Sequence, residues 1–384
     1  MLMTRPWHRG AVAFAALPRV VLFALLGGLV ACAGCSETPA SRPHAEAGAV
    51  DGALLPKDGS VDGAVDGALS PKDGVSKTDA LRVWDGTFFP AGSIWYQDHS
   101  KDKVASNSDA IITWLDDAGG FGGGELQIDF SIEVLYADAS TAMRTFEPTE
   151  DHYTPDCDTG KVPVPVGGAL EGESGYECTT DGDCHLIVVD PLRMKLYEMW
   201  RANIVSGTFS GGCLAIWDMN RVYGPKGRGD QCTSADAAGF PIAPLLFSAD
   251  EVKAGHIDHA IRFILPNARI RTATMVRPAT HGIKGTGGGD DAPPYGVHFR
   301  LKAGVDISGL SAGAQVVARA LKKYGMFHGD GGTIALTAQS DRSTKAKWTG
   351  LLGARDLASL KVTDFEVIDH GPTISVTYDC VREP

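Results

Sequence analysis

The sequence predicts a mainly β domain, an antiparallel β-sandwich or jelly roll with a few peripheral helices. Residues 126–135, LQIDFSIEVL, alternate apolar and polar side chains without interruption, which is typical of a strand with one buried face. We expect its polar residues, among them Asp129 and Glu133, to face water. Turn residues separate many further strand-like runs, namely HLIVVD, KLYEMWRANIV, CLAIWDMN, HIDHAIRFILP, TATMV, GVHFRLK, DFEVID and ISVTYDC.

Helix signals are few and occur at three places in the chain. Each has a capping or closing residue of the kind that bounds helices in proteins. The predicted helices are AIITWLDDA after the cap Asn107-Ser108-Asp109, a short helix opened by a capping box from Ser248 to Glu251, and SAGAQVVARALKKYG closed by Gly325. We expect them to pack outside the sheets.

The N-terminal segment has the composition of an export signal. Arg5 and Arg9 are followed by twelve uncharged residues, VVLFALLGGLVA. A basic start, a short apolar run and small residues at its end are the parts of such a signal, and a membrane span would need about 20 residues. The alternative is a buried N-terminal helix, which the non-globular composition of the following residues disfavours.

Leu29-Val30-Ala31-Cys32 resembles the bacterial lipobox, an aliphatic residue and two small ones before a cysteine. The resemblance implies that residues 1–31 are a lipoprotein signal peptide and that Cys32 is the lipidated residue. It also implies a protein anchored at the outer membrane or cell surface after export, since several acyl chains together bind a membrane firmly. Cys35 is a rival acceptor but lacks the aliphatic residue three positions before it.

Residues 32–80 are predicted to form a flexible tether. VDGALLPKDG at residues 50–59 returns as VDGALSPKDG at residues 65–74, and residues 36–80 contain no aromatic residue. Such a composition buries too little apolar surface to offset the conformational entropy of the chain. We therefore assign residues 81–384 to one β-rich globular domain.

The formal charge of −12 argues against a nucleic-acid partner, because no basic stripe is present to meet phosphates. Contact with the membrane is expected through the lipid anchor alone. The chain carries no dinucleotide fingerprint or P-loop, so we expect no cofactor. It has no CxxC motif, and the spacing His256-x-x-His259 puts both rings on opposite faces of a strand, so no metal site is predicted.

Six cysteines lie beyond Cys32 and Cys35, an even number that indicates three disulfides in an oxidising compartment. Sequence alone allows fifteen connectivities. The turn-rich segment CTTDGDC favours a local pair, and the C-terminal cysteine would tie the chain end back to the domain. The expected pairs are Cys178–Cys184, Cys213–Cys232 and Cys157–Cys380.

Three carboxylates lie among aromatic or apolar neighbours, where general acid or base catalysis becomes possible. Glu198 lies in LYEMW, Asp218 follows Trp217, and Asp236 lies in the apolar segment CTSADAAGFPIAP. We assign them as candidate catalytic residues. In the alternative interpretations Glu198 faces water on an edge strand and Asp236 caps a turn.

Four more side chains are candidate substrate-binding residues, namely Trp200, His259, His281 and Tyr295. Aromatic rings beside carboxylates are surfaces on which sugar rings stack. His259 has a simpler alternative as a core histidine bonded to a backbone carbonyl. The sequence thus predicts an enzyme acting on an extracellular polysaccharide, most simply a glycoside hydrolase with paired carboxylates. A lyase using a tyrosine and a histidine, or a glycan-binding or adhesion lipoprotein without activity, is the alternative.

Several segments of the globular part resemble those of a family of exported bacterial proteins. They cover most of residues 90–370 and include GDCHLIVVD, LYEMWRA, TSADAAGFPI, HAIRFILP, RPATH, PPYGVHFRLK and ALKKYGM. The resemblance implies a recurrent exported unit and assigns no catalytic residue.

Overall fold

Strands outnumber helices throughout the part of the chain that the structure, a computed structural model, describes: residues 83–180 and 182–383. The predicted signal peptide, Cys32 and the tether lie outside these residues. In the described part, ten strands form two larger sheets: β1 (Ile128–Ile132), β2 (Val134–Tyr136), β3 (Leu186–Asp190), β4 (Lys195–Met199), β5 (Leu214–Asp218), β6 (Ile261–Leu265), β7 (His298–Leu301), β8 (Met326–Gly331), β9 (Leu336–Gln339) and β10 (Phe365–Val367).

Shorter elements complete the described fold. Short strands span Met143–Thr145, Glu147–Pro148, Lys161–Pro163, Asn203–Val205, Thr208–Gly211, Gly229–Asp230, Thr274–Met275, Ile374–Ser375 and Val381–Arg382. The α-helices are α1 (Ser108–Asp117), α2 (Ala249–Ala254) and α3 (Ala312–Lys323), and 3-10 turns span Ile94–Tyr96, Ala243–Leu245, Asn267–Arg269, Asp341–Ser343 and Val362–Asp364. The three predicted helices are confirmed.

Helix α2 illustrates how local sequence sets an element. The Ser248 hydroxyl accepts a hydrogen bond from the Glu251 amide, and the Glu251 carboxylate accepts one from the Ser248 amide. This reciprocal capping satisfies amides that have no partner within the helix. Gly255, with a φ of 91°, ends α2 in the left-handed conformation that glycine adopts without strain.

The six-stranded sheet has the order β1-β9-β6-β8-β7-β10, and the four-stranded sheet the order β5-β4-β3-β2. Pairs β1/β9, β6/β8 and β2/β3 are parallel, and the others are antiparallel. The predicted mainly β class is confirmed. The prediction that residues 126–135 form one antiparallel strand is wrong, because the segment is divided between the sheets and both parts pair in parallel.

Glu133 lies where this segment passes from one sheet to the other. Its side chain is buried, against the expectation that it faces water, while Asp129 is half-buried. The Glu133 carboxylate accepts a hydrogen bond from Ser343 Oγ at 2.8 Å and lies 3.5 Å from Arg342 Nε. These partners are distant in sequence, so the alternating pattern gives no sign of them.

One hydrophobic core contains side chains from both larger sheets, as in a β-sandwich. Leu196 and Trp217 enter it from the four-stranded sheet, and Phe263 and Phe299 from the six-stranded one. The other face of the four-stranded sheet packs into a second, smaller core that includes Val188, Tyr197 and Leu214. Burial on both faces explains why HLIVVD is apolar throughout.

Three disulfides join Cys157–Cys213, Cys178–Cys184 and Cys232–Cys380. The local pair is confirmed, and the expected pairs Cys213–Cys232 and Cys157–Cys380 are wrong. The Asp158 amide bonds the Leu214 carbonyl, which sets Cys157 beside Cys213, and the strand Gly229–Asp230 pairs with Val381–Arg382, which sets Cys232 beside Cys380. Nothing local in the sequence marks either pairing.

Within the described ranges, none of the helices has the length and hydropathy of a membrane-spanning segment.

Candidate functional site

Asp236 lies at the centre of a buried ionic cluster. The loop of residues 233–242 carries it inside, and it is fully buried. Its Oδ1 accepts a hydrogen bond from Arg262 Nε at 2.6 Å, and its Oδ2 accepts one from the Ala238 amide at 3.1 Å. Burial raises the pKa of Asp236 to about 7, although Arg262 acts in the opposite direction.

Arg262 links Asp236 to a second carboxylate, Asp330. Arg262 is on β6 and Asp330 on the neighbouring strand β8, and Arg262 Nη2 lies 3.1 Å from Asp330 Oδ2. The amides of Ala237 and Gly331 also donate to Asp330, at 3.2 and 2.8 Å. The side chain of Asp330 is 22% exposed, whereas those of Arg262 and Asp236 are 4% and 0% exposed. Asp330 is therefore the member of this cluster that reaches solvent.

The close approach of these groups depends on Gly329. A Cβ atom at this position would lie 2.7 Å from Asp236 Oδ1 and 2.9 Å from Arg262 Nε. Such distances are shorter than van der Waals contact, so a side chain would displace the ion pair. The small residue in β8 thus permits two carboxylates to share one guanidinium.

A buried histidine–glutamate pair lies beside this cluster. His185 Nδ1 is 2.6 Å from Glu171 Oε2, and its Nε2 is 2.9 Å from the Ala235 carbonyl. Burial lowers the pKa of His185, but Glu171 outweighs burial and raises it to about 9. The imidazolium then donates at both nitrogens. Arg262 in turn helps to lower the pKa of Glu171, so the two charge groups are within electrostatic range.

On the solvent side, Asp183 lies within electrostatic range of Asp330 and is bonded to Trp200. Trp200 Nε1 donates to Asp183 Oδ1 at 2.8 Å, and Asp183 is exposed. Burial is the main cause that raises the pKa of Asp330, and the charge of Asp183 raises it further. Arg201 stacks over the Trp200 ring at 4.9 Å and pairs with Asp151 at 2.8 Å. Trp200, which was predicted to bind substrate, is half-buried, and its indole N–H positions the exposed carboxylate of Asp183.

Tyr295 lies within electrostatic range of the same cluster. It is fully buried, its ring stacks on His328 at 5.0 Å, and its hydroxyl has no hydrogen-bond partner among the described residues. Burial raises the pKa of Tyr295 above its usual range, and the charges of Asp330 and Asp236 act in the same direction. The phenol is therefore neutral and poorly suited to the predicted alternative role of a lyase base.

Glu198 is enclosed by its own chain. Its Oε1 accepts hydrogen bonds from the amides of Ile242 and Ala243, each at 2.8 Å, and its Oε2 accepts one from Trp217 Nε1 at 2.9 Å. The residue is fully buried, and burial raises its pKa to about 7. Both oxygens serve to join β4, β5 and the loop of residues 233–242. The catalytic role predicted for Glu198 finds no support in this arrangement.

Asp218 lies away from these groups. Trp217 points into the core, so Asp218, the next residue of β5, points to the other side. Its side chain is 41% exposed and pairs with Lys195 at 3.0 Å. Burial raises its pKa, but the Asn220 amide and Lys195 more than offset this and lower it. Glu198 and Asp236 are fully buried and Asp218 points to another side, so the three candidate catalytic carboxylates do not meet at one solvent-exposed site.

The two predicted histidines occupy different places. His259 Nδ1 is 2.7 Å from the Ala260 carbonyl and its Nε2 is 3.1 Å from Glu251 Oε1, the arrangement expected of a core histidine. His281 contacts the loop that carries Asp236, since its Nδ1 lies 2.8 Å from the Ala237 carbonyl. Burial lowers the pKa of His281, which is thus a neutral donor. The structure therefore brings His281, but not His259, to the Asp236 loop.

Four residues of this region were not singled out from the sequence as candidate site residues, namely Glu171, Asp183, Arg262 and Asp330. Arg262 carried the clearest signal, because a charged residue in the apolar strand IRFIL needs a buried partner. Asp330 lies in GDGG, which looks like ordinary turn chemistry.

Potential metal ligands gather at two places in the described part of the chain. These are Asp156 with Cys232 and Cys380, and Glu173 with Cys178 and Cys184. Both cysteine pairs are disulfides, so neither place offers a thiolate. Comparisons of the chain with protein-family models, curated proteins and solved structures found no match.

Proposed function

We propose that this protein is an exported, lipid-anchored glycoside hydrolase that acts on an extracellular polysaccharide at Asp330 and Asp183. The observation that carries the proposal is the pair of solvent-reaching carboxylates Asp330 and Asp183, of which the first contacts Arg262 and the second accepts a hydrogen bond from Trp200. The charge of Asp183 raises the pKa of Asp330, which puts the two carboxylates within electrostatic range. This pair replaces the trio of carboxylates that the sequence suggested.

The chemistry assigns a different task to each carboxylate. Glycoside hydrolysis needs one acid that keeps its proton until the glycosidic oxygen takes it, and a second carboxylate that activates water or attacks the sugar. Asp330 suits the first task, because burial and Asp183 raise its pKa. Asp183 is exposed and suits the second. Asp236 is then a positioning residue that fixes Arg262, which in turn fixes Asp330.

Export is supported by two independent features. The N-terminal residues resemble a lipobox signal ending at Cys32, and the domain holds three disulfides, which persist in oxidising compartments. A polysaccharide outside the cell is the substrate class available to such a protein. Location at the outer membrane or cell surface is part of the same proposal.

A glycan-binding protein without activity is the second candidate, and one observation favours it. Arg262 contacts both Asp236 and Asp330, so part of the negative charge that catalysis would use is already neutralised. In that case Trp200, Asp183 and Asp330 hold sugar hydroxyls without cleaving a bond.

The test compares Asp330→Asn and Asp183→Asn with the wild-type mature protein. Reducing-end release is measured on a polysaccharide panel, and binding of the same polymers by calorimetry. A hydrolase predicts that both variants lose roughly 10²-fold or more in turnover while they still bind and remain folded. Asp306→Asn removes another exposed carboxylate, one that accepts the Ser308 amide, and is the matched control. Binding without any wild-type turnover would support the second candidate, and neither binding nor turnover would overturn both.

A further inference from the structure

We infer that the Asp330 site takes a glycan without acidic groups, either neutral or amine-bearing, and rejects uronate and sulfated polymers. The inference rests on the proposed function and narrows its substrate class. The carboxylates and the cations of this region differ in their exposure to solvent. Asp183 is exposed, and the side chains of Asp330 and Glu171 are 22% and 18% exposed. Their cationic partners, Arg262 and His185, are only 4% and 3% exposed.

A ligand arriving from solvent therefore meets carboxylates first and cations only behind them. Arg201 is the exposed cation that stacks on Trp200, and its guanidinium pairs with Asp151. With Asp330 protonated as the acid, the region holds three cations against four ionised carboxylates, a formal charge of −1, from Arg201, Arg262 and His185 with Asp151, Asp183, Asp236 and Glu171. The acidic whole chain, at −12, adds repulsion of the same sign.

Ionised carboxylates such as Asp183 accept hydrogen bonds and donate none, so they bind sugar hydroxyls and ammonium groups but not other carboxylates. A uronate or a sulfate would place like charges together in a partly desolvated site, where the repulsion is stronger than in water. An amino sugar would instead gain an opposite charge. The order of affinity expected for matched glycans is amine-bearing first, neutral second and acidic last.

Tyr295 is a second and independent sign that this site receives a polar ligand. Its hydroxyl is buried and unpaired within electrostatic range of Asp330 and Asp236, and a buried hydroxyl without a partner is unusual in proteins. The phenol stays neutral, so it can donate or accept a hydrogen bond without adding charge. It fits an uncharged donor–acceptor group rather than an anion.

The test uses the full mature chain and oligosaccharides of equal length on three glucan backbones. Each backbone is prepared in a neutral, an aminated and a C6-oxidised, uronate form, and dissociation constants are measured at low and high salt. On the backbone that binds, we expect the uronate form to bind at least tenfold more weakly than the neutral form. Added salt should weaken binding of the amine form and strengthen that of the uronate form.

Two variants separate charge from hydrogen bonding. Asp183→Asn should reduce the ratio of the dissociation constants of the uronate and neutral forms severalfold, whereas Asp306→Asn should leave this ratio unchanged. Tyr295→Phe should weaken all three forms to a similar degree without changing their order. Preferred binding of the uronate form would overturn the inference, and loss of its turnover in Asp330→Asn would then leave the proposed hydrolase standing. Absence of binding and turnover for every form would overturn the proposed function and the inference with it.

Discussion

Glu198 and Asp330 are both carboxylates on strands of the larger sheets, yet their surroundings differ. Two backbone amides and an indole N–H occupy the oxygens of Glu198, which is fully buried. Asp330 also accepts two backbone amides and contacts Arg262, but 22% of its side chain reaches solvent. A carboxylate in an apolar stretch thus has a structural role when it is fully buried and protein donors occupy both of its oxygens. It is a candidate catalytic group when part of its side chain is exposed to solvent.

The largest effect that this difference predicts is on stability at Glu198. Glu198→Ala leaves two amides and the Trp217 indole N–H buried without an acceptor, which should lower the free energy of unfolding by about 3–5 kcal/mol. Glu198→Gln keeps one acceptor oxygen and should lose less. Denaturant unfolding measures both. A Glu198→Ala variant within about 1 kcal/mol of wild type would contradict the structural role.

The second prediction concerns pH and the His185–Glu171 pair beside Asp330. The folded-state pKa of His185 is raised to about 9 from 6.5, so its stabilisation is complete below pH 6.5 and is lost as the pH rises through 9. A shift of this size corresponds to roughly 3 kcal/mol. Unfolding free energies from pH 6.5 to 9.5 should fall by that order in wild type and less in His185→Gln. Equal slopes would mean that the pair is not charged as described.

The third prediction concerns the backbone that permits the Asp236–Arg262–Asp330 cluster. Gly329→Ala puts a Cβ atom against Asp236 and Arg262, and should cost about 1–3 kcal/mol of stability together with most of the activity. Gly304→Ala is the matched control, because a Cβ there meets nothing within 4 Å. Similar melting temperatures for the two variants would show that β8 can move away without disturbing the site.

The smallest effect is expected at Asp218. Its pair with Lys195 joins two side chains that are 41% and 35% exposed, so solvent screens most of the attraction. Asp218→Asn should change the free energy of unfolding by no more than about 0.5 kcal/mol. It should also leave turnover unchanged if catalysis takes place at Asp330. A large loss of turnover would return Asp218 to the catalytic role that the sequence suggested.

Local patterns in the sequence predicted the features that depend on neighbouring residues. The mainly β class, the Ser248 capping box and the Cys178–Cys184 disulfide all follow from residues within a few positions of each other. The parallel pairing of β1 with β9, the parallel pairing of β2 with β3 and the other two disulfides all depend on partners far along the chain. The periodicity of apolar and polar residues along a segment does not indicate which distant segment it will pair with.

Prediction of the candidate site from the sequence has the same limit. Asp236 and Trp200 stood out as polar or aromatic residues in informative surroundings, and the first belongs to the cluster while the second is bonded to Asp183. Asp330 and Arg262 meet only because β6 and β8 are neighbours, although they are 68 positions apart. Composition around Glu198 could not reveal that the loop of residues 233–242 would cover its oxygens. The burial of a carboxylate and the number of its hydrogen-bond partners decide whether it has a structural or a catalytic role, and both are set by the tertiary fold.

Carboxylate labelling tests the central distinction most directly. The folded mature protein is treated with a water-soluble carbodiimide and an amine, and the modified residues are located by peptide mass spectrometry, with and without a bound oligosaccharide. We expect Asp183 and Asp330 to be modified, Glu198 and Asp236 to remain unmodified, and the oligosaccharide to protect Asp183 and Asp330. Modification of Glu198 at the rate of Asp330, or no protection of Asp330 by a glycan that binds, would contradict the account.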